Sequence, residues 1–176
     1  RFPGIAMDDY YVVVRHHRHL GVMCAVPQTP AQLTDLVNFT TDELPNWDYG
    51  TSHPTIPAPN DFTGLAQKNG RLSWLNYKAM WAGDFDADGK VKYDAPNDDL
   101  NRLQSNVISY PGNNAFTSNF DFAYGYLPGD FDMNSKAKFD NPNDDKNMLY
   151  GQVIRYPLNS TNLLSNFDFL IEQLPK

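Results

Sequence analysis

The sequence has one cysteine, Cys24, and no excess of positive charge. A single thiol excludes a disulfide within the chain, and its neighbours Met23 and Ala25 favour a buried structural thiol over a nucleophile. The net charge of −7 excludes the basic face on which nucleic-acid binding depends. No apolar run reaches the roughly 18 residues of a membrane span, so membrane insertion is not expected.

Motifs of common catalytic chemistry are missing as well. No serine lies in a nucleophile elbow, and there is no glycine-rich phosphate loop. His16, His17 and His19 fall in a strand-like stretch, whose alternation would place His17 and His19 on one face. That pair would bind zinc only with a third ligand from elsewhere, so a polar strand face is the favoured interpretation. We therefore expect no enzymatic activity.

Hydrophobic residues make up 41% of the chain, which is enough for a core. Residues 1–26 contain one predicted strand, DDYYVVVRHHRHLGVMCAV, rich in Tyr and Val. Residues 27–79 are rich in Pro, Thr, Asn and Asp, and RLSWLNYKAMWA near their end is the only further strand candidate. We predict that 1–79 is a strand-containing portion with long loops. Because the sequence starts without a methionine close to its strongest strand, this portion is expected to end a larger β-rich domain of a longer precursor.

The remaining residues contain a repeat. The segment GDFDADGKVKYDAPNDD starts at Gly83, and GDFDMNSKAKFDNPNDD starts at Gly129, 46 residues later. Agreement over so long a window predicts two copies of one supersecondary unit. We assign the copies to residues 80–125 and 126–176, which together form the second predicted domain, 80–176.

Each copy combines an acidic loop with an amphipathic helix. The apolar residues at helical spacing are Leu100, Leu103, Val107 and Ile108 in copy one, and Met148, Leu149, Val153 and Ile154 in copy two. A Tyr-Pro pair ends each helix, because the residue before a proline disfavours the helical conformation. Neither helix can bury its apolar stripe alone, so we expect the two copies to pack against each other.

The acidic loop of copy one matches the first half of an EF-hand-type calcium loop. Calcium binds about six to eight oxygens, and aspartates at alternate positions of a curled loop direct their carboxylates to one point. Copy one supplies Asp84, Asp86 and Asp88, a turn at Gly89 and the backbone carbonyl of Lys90. A lone motif of this kind is often a solvated turn, but its duplication favours a metal site.

The glutamate that usually closes such a loop is absent, and Ala95 occupies its position. The next acids, Asp98 and Asp99, lie at the predicted start of the helix, where such residues also serve as N-caps. Copy two shows the same delay. We therefore expect the loop to close late, chiefly through Asp99, and the closing acid to cap the helix as well.

Copy two offers a similar but weaker set of ligands. Its candidates are Asp130, Asp132, Asn134, the carbonyl of Lys136, Asp144 and Asp145. Asn134 is uncharged, and Ser135 replaces the turn glycine, where a left-handed backbone costs roughly 1 kcal/mol. We predict two calcium sites, the second weaker, whose occupation supplies folding energy. Asp94 and Asp140 are interpreted as solvated surface acids.

Five segments carry a family resemblance: YYVVVRHHRHLGVM, MWAGDFDADGKVKY and LPGDFDMNSKAKF, the repeated PNDD, and the terminal IEQLP. The chain resembles the C-terminal region of large secreted, surface-associated proteins of Bacteroidetes, which are adhesin-like, hemagglutinin-like or hypothetical. The resemblance implies an extracellular calcium-binding module with β-rich domains upstream, and no known catalytic activity. The family's acidic positions fall on Asp84, Asp86, Asp88, Asp99, Asp130, Asp132, Asn134 and Asp145. The chain departs from the family pattern at Asp98, Asn134, Ser135 and Asp144, and dockerins are a second, more distant analogue.

The predicted fold class is α+β, a partial β-sheet followed by a duplicated calcium loop–helix domain. The favoured role is a non-catalytic structural or adhesive module, located outside the cell or on its surface. One alternative is a fibre subunit, since the N-terminal strand has few partners in the sequence and would pair with upstream domains of its precursor or with other subunits. The other is a carbohydrate-binding module of a secreted enzyme, with glycans as partners. Its candidate stacking residues are Trp47, Tyr49, Trp74, Tyr77 and Trp81, although the last three favour a core position.

Overall fold

The computed structural model of the chain describes residues 8–29, 37–41, 45–56, 60–69, 77–140 and 142–175. The chain divides into two units. The first unit contains Arg1–Arg15, Gly21–Met80 and Gln173–Lys176, and the second contains His16–Leu20 and Trp81–Glu172. Each unit is described by itself below.

The Tyr- and Val-rich stretch folds back on itself. Strand β1 (Val13–His16) and strand β2 (His19–Met23) pair in a two-stranded sheet, joined by a turn at His17 and Arg18. The prediction of one continuous strand over this stretch is therefore wrong. A strand of that length would exceed the usual roughly 3–10 residues. The sequence does not signal this turn, because the turn lacks the Gly, Asn or Asp that commonly marks a hairpin.

The first unit also contains a second pair of short strands. Strands β3 (Lys68–Asn69) and β4 (Lys78–Ala79) pair antiparallel, with Lys68 opposite Ala79. Strand β4 falls within the predicted strand RLSWLNYKAMWA, of which residues 71–76, including Trp74, lie outside the described residues. The buried apolar residues of this unit include Val22, Cys24, Phe62, Ala66 and Leu174. The expectation of a buried thiol at Cys24 is thus confirmed.

Helices α1 (Asp99–Ile108) and α2 (Asp145–Ile154) confirm the two predicted amphipathic helices. The fully buried apolar residues on them are Leu103, Val107, Leu149 and Val153. The two helices contact each other, as the need to bury both stripes required. Both end shortly before their Tyr-Pro pair, and a short 3-10 helix follows α2 at Pro157–Asn159.

A buried asparagine follows each helix and donates a hydrogen bond to a backbone carbonyl of its last turn. The side-chain Nδ2 of Asn113 donates to Val107 O at 2.9 Å and to Thr117 O at 2.7 Å. Asn159 makes the equivalent bonds, at 2.9 and 2.8 Å, after α2. Because the last carbonyls of a helix have no partner within it, these amides fix the chain's exit from both helices.

The two repeats complete each other through their last residues. We define the first tail as residues 123–125 and the second tail as residues 170–172. The second tail pairs with residues 89–91 of the first loop: Glu172 N donates to Gly89 O at 2.7 Å, and Val91 N donates to Leu170 O at 2.9 Å. The first tail pairs with residues 135–137 of the second loop through two bonds of 3.0 Å. Each loop is therefore bridged by the tail of the other repeat.

Charged side chains repeat this exchange. Asp168, just before the second tail, lies 3.6 Å from Nζ of Lys90 in the first loop. Asp121, just before the first tail, lies 2.7 Å from Nζ of Lys136 in the second loop. Exposed ion pairs stabilise little by themselves. Their reciprocal placement shows that the two repeats are related by an approximate two-fold axis.

Glycines let each loop approach the helix of the other repeat. A Cβ atom on Gly83 would lie 2.6 Å from Leu149 Cδ1 of α2. A Cβ atom on Gly129 would lie 2.5 Å from Leu103 Cδ1 of α1. Both contacts are closer than packed carbon atoms allow.

Small antiparallel sheets and two α-helices make the chain mixed α+β in a loose sense, which agrees with the expected class at that level. Within the described ranges, no helix is both long enough and apolar enough to cross a membrane.

The substitution Gly129→Ala should lower the free energy of unfolding by about 1–3 kcal/mol, because the new Cβ overpacks the contact with Leu103. Gly151→Ala is the matched control. It lies inside α2, and a Cβ added there would meet nothing within 4 Å, so helix propensity predicts a gain of about 0.5–1 kcal/mol. Urea unfolding followed by circular dichroism measures both. Equal effects of the two substitutions would contradict the close approach of loop and helix.

Candidate metal centre

Two groups of three aspartates lie where the acidic loops meet the helices. In each group, one carboxylate oxygen from every residue lies within 4.8 Å of the others. The groups, called the first and second triads below, are Asp84, Asp86 and Asp99, and Asp130, Asp132 and Asp145. Each triad brings two early loop acids together with the late acid at the start of the helix.

The first acid of each triad organises the loop that follows it. Asp84 Oδ1 accepts a hydrogen bond from Asp88 N at 3.0 Å, and Asp84 Oδ2 accepts one from Gly89 N at 3.2 Å. The same two bonds recur at Asp130, at 2.9 and 2.8 Å. Ser135 adopts φ 70°, close to the 82° of Gly89, so the serine takes the strained left-handed conformation expected at this position.

The last acid of each triad ties the loop to the helix. Asp99 Oδ1 accepts from Phe85 N and Oδ2 accepts from Lys92 N, both at 2.7 Å. Asp145 accepts the corresponding two bonds, both at 2.8 Å. These carboxylates are only 3% and 2% exposed. Because a carboxylate has about four lone pairs, two backbone bonds leave capacity for a metal ion.

Asp98 and Asp144 are next to the triads in sequence but outside them in space. Asp98 is the N-cap of α1, and its Oδ1 accepts from Asn101 N at 2.6 Å. Asp144 caps α2 through the same bond to Asn147 N at 2.6 Å. The expectation that the closing acid also caps the helix is therefore wrong. The extended backbone of an N-cap directs its side chain over the helix end, so capping and closure fall to adjacent residues.

The third candidate ligand of each loop, Asp88 in the first and Asn134 in the second, lies beside its triad. Asp88 Oδ1 accepts from Lys90 N at 2.8 Å, and its other oxygen lies 3.7 Å from Lys92 Nζ. In the second loop, Asn134 Nδ2 donates to Asp132 Oδ2 at 2.9 Å. The structure thus gathers the first, second and last predicted acids of each loop, and it holds the third in contacts within the loop.

The backbone carbonyls of Lys90 and Lys136 point away from the tail that pairs with them, on the side of their own loop. Lys90 lies opposite Ile171 as a non-hydrogen-bonded pair, because the bonds to the second tail come from the residues on either side of it. The N–H and C=O of Lys90 therefore point away from the tail, and its N–H reaches Asp88. Lys136, opposite Tyr124, has the same arrangement. This is the orientation that a carbonyl ligand at the seventh loop position requires.

The sequence patterns did not reveal the role of Arg102. Its guanidinium Nη2 lies 2.8 Å from Asp86 Oδ2, so one carboxylate of the first triad already has a positive partner. Helical spacing could have indicated this position, because Arg102 lies three residues after Asp99 on α1 and therefore shares its face. The matching residue of the second repeat is Met148. The second triad thus lacks the guanidinium that pairs with the first.

Burial raises the pKa of the first and the last acid of each triad. Desolvation raises the pKa of Asp99 to about 8, the charges of Asp84 and Asp86 raise it further, and its two backbone hydrogen bonds oppose the rise. Desolvation likewise raises the pKa of Asp145 to about 7 and that of Asp84 to about 6. It also raises the pKa of Asp130. A bound cation would favour the ionised form of these carboxylates.

The chemistry of the donor set fits a hard cation. Each triad offers carboxylate oxygens, and a backbone carbonyl faces the same side of the loop. Oxygen ligands of this kind suit calcium, magnesium and manganese. Asp94 and Asp140 lie outside the triads, where they accept hydrogen bonds from Ser165 and Ser118. Both triads can therefore hold a metal ion.

No family model, no curated protein and no solved structure matches the chain. The resemblance to Bacteroidetes surface proteins thus stays an expectation from the sequence. Function has to be inferred from the triads and the loops that build them.

Without metal, the protein should lose stability as the pH rises from about 4 to about 8. The pKa of Asp99 is about 8 in the folded state against an ordinary 3.8, so the folded state binds more protons than the unfolded state between these values. The stability that this proton supplies is complete below the lower pKa and is lost as pH rises through the higher one. Urea unfolding in EDTA at a series of pH values measures the slope.

The isosteric variant Asp99→Asn is the comparison for that pH series. Its uncharged amide cannot ionise. The unfolding free energy of the natural chain should therefore fall with rising pH more steeply than that of the variant, so that the variant minus the natural chain grows with pH. A difference that stays constant across the series would contradict a raised pKa at Asp99.

Proposed function

We propose that the chain is a non-catalytic calcium-binding module in which one ion at each triad holds an acidic loop against its helix. The observation that carries the proposal is the pair of triads, each with a buried first and last acid, built by the same hydrogen bonds in two repeats 46 residues apart. A single acidic turn would not need that shared architecture. Two turns that keep it indicate a common ligand.

Calcium fits the loops better than the other hard or borderline ions. It accepts about six to eight oxygens in a flexible geometry, which three carboxylates, a loop carbonyl and water can supply. Magnesium demands a near-ideal octahedron and gives up its own water reluctantly. Zinc prefers imidazole and thiolate ligands, and both triads consist of aspartate alone.

The role of the ion is structural in this proposal. It neutralises carboxylates whose burial otherwise favours their protonated form, and it fixes the distance between loop and helix. Extracellular modules of this type bind calcium at about 10⁻⁴–10⁻³ M. An affinity in that range suits a secreted or cell-surface protein, and the resemblance noted in the sequence supports an adhesive or scaffolding role there.

The two alternative roles have less support from the structure. The fibre subunit was argued from a strand without partners, but β1 pairs with β2. The carbohydrate-binding module was argued from aromatics of which Trp81 is buried, while Trp47 and Tyr49 meet edge to face at 76° and form no flat platform. Both alternatives remain open proposals, and neither explains why the triads are present.

Calcium should raise the midpoint of thermal unfolding relative to EDTA. At a calcium concentration a hundredfold above Kd, each site stabilises the folded state by about 2.7 kcal/mol. Asp99→Asn should remove the contribution of the first site, and Asp145→Asn that of the second. Scanning calorimetry in calcium, magnesium and EDTA measures these shifts. A midpoint that calcium leaves unchanged would refute the proposal.

The N-cap residues provide matched variants for that experiment. Asn is as good an N-cap as Asp, so Asp98→Asn and Asp144→Asn keep the helix ends while removing a carboxylate beside each triad. Both should retain the calcium shift. If Asp98→Asn abolishes it as fully as Asp99→Asn does, the triad assignment is wrong and Asp98 is a ligand.

The variant Arg102→Met should tighten calcium binding at the first site by about two- to fivefold. The guanidinium competes with the ion for Asp86, and the partly exposed pair contributes up to about 1 kcal/mol. Met148→Arg should weaken the second site, which is already expected to be the weaker one because of Asn134 and Ser135. Calorimetric titration resolves the two constants. Unchanged constants in both variants would show that Arg102 does not compete with the ion.

A further inference from the structure

Three histidines meet at the turn between β1 and β2, away from the two triads. His16 and His19 flank this turn and face each other, with their Nδ1 atoms 2.7 Å apart and ring centroids 4.5 Å apart. His17 lies within the turn and stacks at 4.2 Å on the ring of Tyr126. All four residues belong to the second unit. The proposed calcium sites do not use any of them.

The phenol of Tyr126 sets the protonation of these rings. Its oxygen lies 2.7 Å from His17 Nδ1 and 3.3 Å from His16 Nε2. Both contacts are satisfied when the phenol donates to His17 and accepts from Nε2–H of His16. In this arrangement His16 Nδ1 carries a lone pair directed at His19.

We propose that His16 and His19 bind a divalent transition-metal ion, such as zinc, through their two Nδ1 atoms. Zinc binds imidazole nitrogens at about 2.0–2.1 Å, and tetrahedral geometry then separates two such nitrogens by roughly 3.3 Å. The rings need to part by only about 0.6 Å from their present contact, and His19 must carry its proton on Nε2 rather than on Nδ1, so that both Nδ1 atoms present a lone pair to the ion. Two imidazoles opposite each other across a tight turn are held in position to do so.

Tyr126 supplies the outer contact that a ligating histidine normally has. A histidine that binds metal through one ring nitrogen usually donates a hydrogen bond from the other, which fixes its tautomer and orientation. The bond from His16 Nε2 to the Tyr126 oxygen meets this requirement. It leaves Nδ1 as the coordinating atom.

The positive charge of Arg18, which lies in the turn, has its own contacts. The guanidinium of Arg18 turns away from the imidazole pair, donating through Nη1 to Phe85 O at 2.5 Å and lying 5.6 Å above the Phe85 ring. Among the described residues, no further His, Cys, Asp or Glu joins the pair in a group of three. Water therefore completes the coordination shell, so the site is open to a small exogenous ligand.

The two kinds of site should select different ions. Imidazole suits zinc, nickel and copper, whereas carboxylate and carbonyl oxygens suit calcium and magnesium. Zinc bound at the histidines should therefore persist when calcium saturates the triads. This selectivity makes the proposal independent of the calcium module and lets one experiment separate the two.

Zinc titration of the whole chain by calorimetry, at saturating calcium, tests the site. We expect one zinc ion to bind, and His16→Gln and His19→Gln each to weaken binding at least tenfold. Tyr126→Phe should weaken it by about tenfold, the low end for loss of an outer contact. His53→Gln is the matched control, because this histidine lies in the first unit and should leave zinc affinity unchanged. A cooperative thermal unfolding transition in EDTA, with a midpoint near that of the natural chain, confirms that each variant folds.

Nitrogen-15 spectra of the imidazoles give a readout that a purely structural role would not move. Zinc should shift the Nδ1 resonances of His16 and His19 into the range of metal-bound nitrogen and leave Nε2 of His16 protonated. Failure of zinc to bind, zinc binding by the His16→Gln and His19→Gln variants as tight as by the natural chain, or a shift at His53 instead would each overturn the proposal.

Discussion

A buried carboxylate at the first position of each helix is the contact on which the second unit depends. Asp99 receives two backbone N–H groups from opposite ends of its loop, and Asp145 does the same in the other repeat. These bonds close the loop, place the helix start against it and bring the late acid to the early ones. The contact that builds the fold therefore also gathers three carboxylates that could hold a metal ion.

The two repeats differ in the partner of the triad and in the residue at the left-handed turn. The first pairs Asp86 with Arg102 and places glycine at its left-handed turn, whereas the second has Met148 and the strained Ser135 at the matching positions. An internal guanidinium lets the first triad persist without an ion more easily. Among the described residues, the second triad has no such guanidinium partner.

Much of this architecture is visible in the sequence, because helical spacing and duplication are local signals. They predicted both helices and the late closure at Asp99. They could not separate the roles of Asp98 and Asp99, which depend on the backbone angles of one residue. The hairpin turn at His17 and Arg18 has no turn residues to mark it, and the pairing of His16 with His19 follows only from that turn. The crossing of the tails is non-local, so no spacing within one repeat reveals it.

The crossed tails also bear on how such a chain can arise. A polypeptide with one repeat would have a loop without its bridging tail, unless two chains exchanged tails about a two-fold axis. The present chain is equivalent to such a dimer with its subunits fused, so each tail is held near its loop by the covalent link at any protein concentration. Fusion also removes the requirement that both halves stay identical. Arg102 in one half and Met148 in the other are a divergence that a symmetric homodimer could not have made.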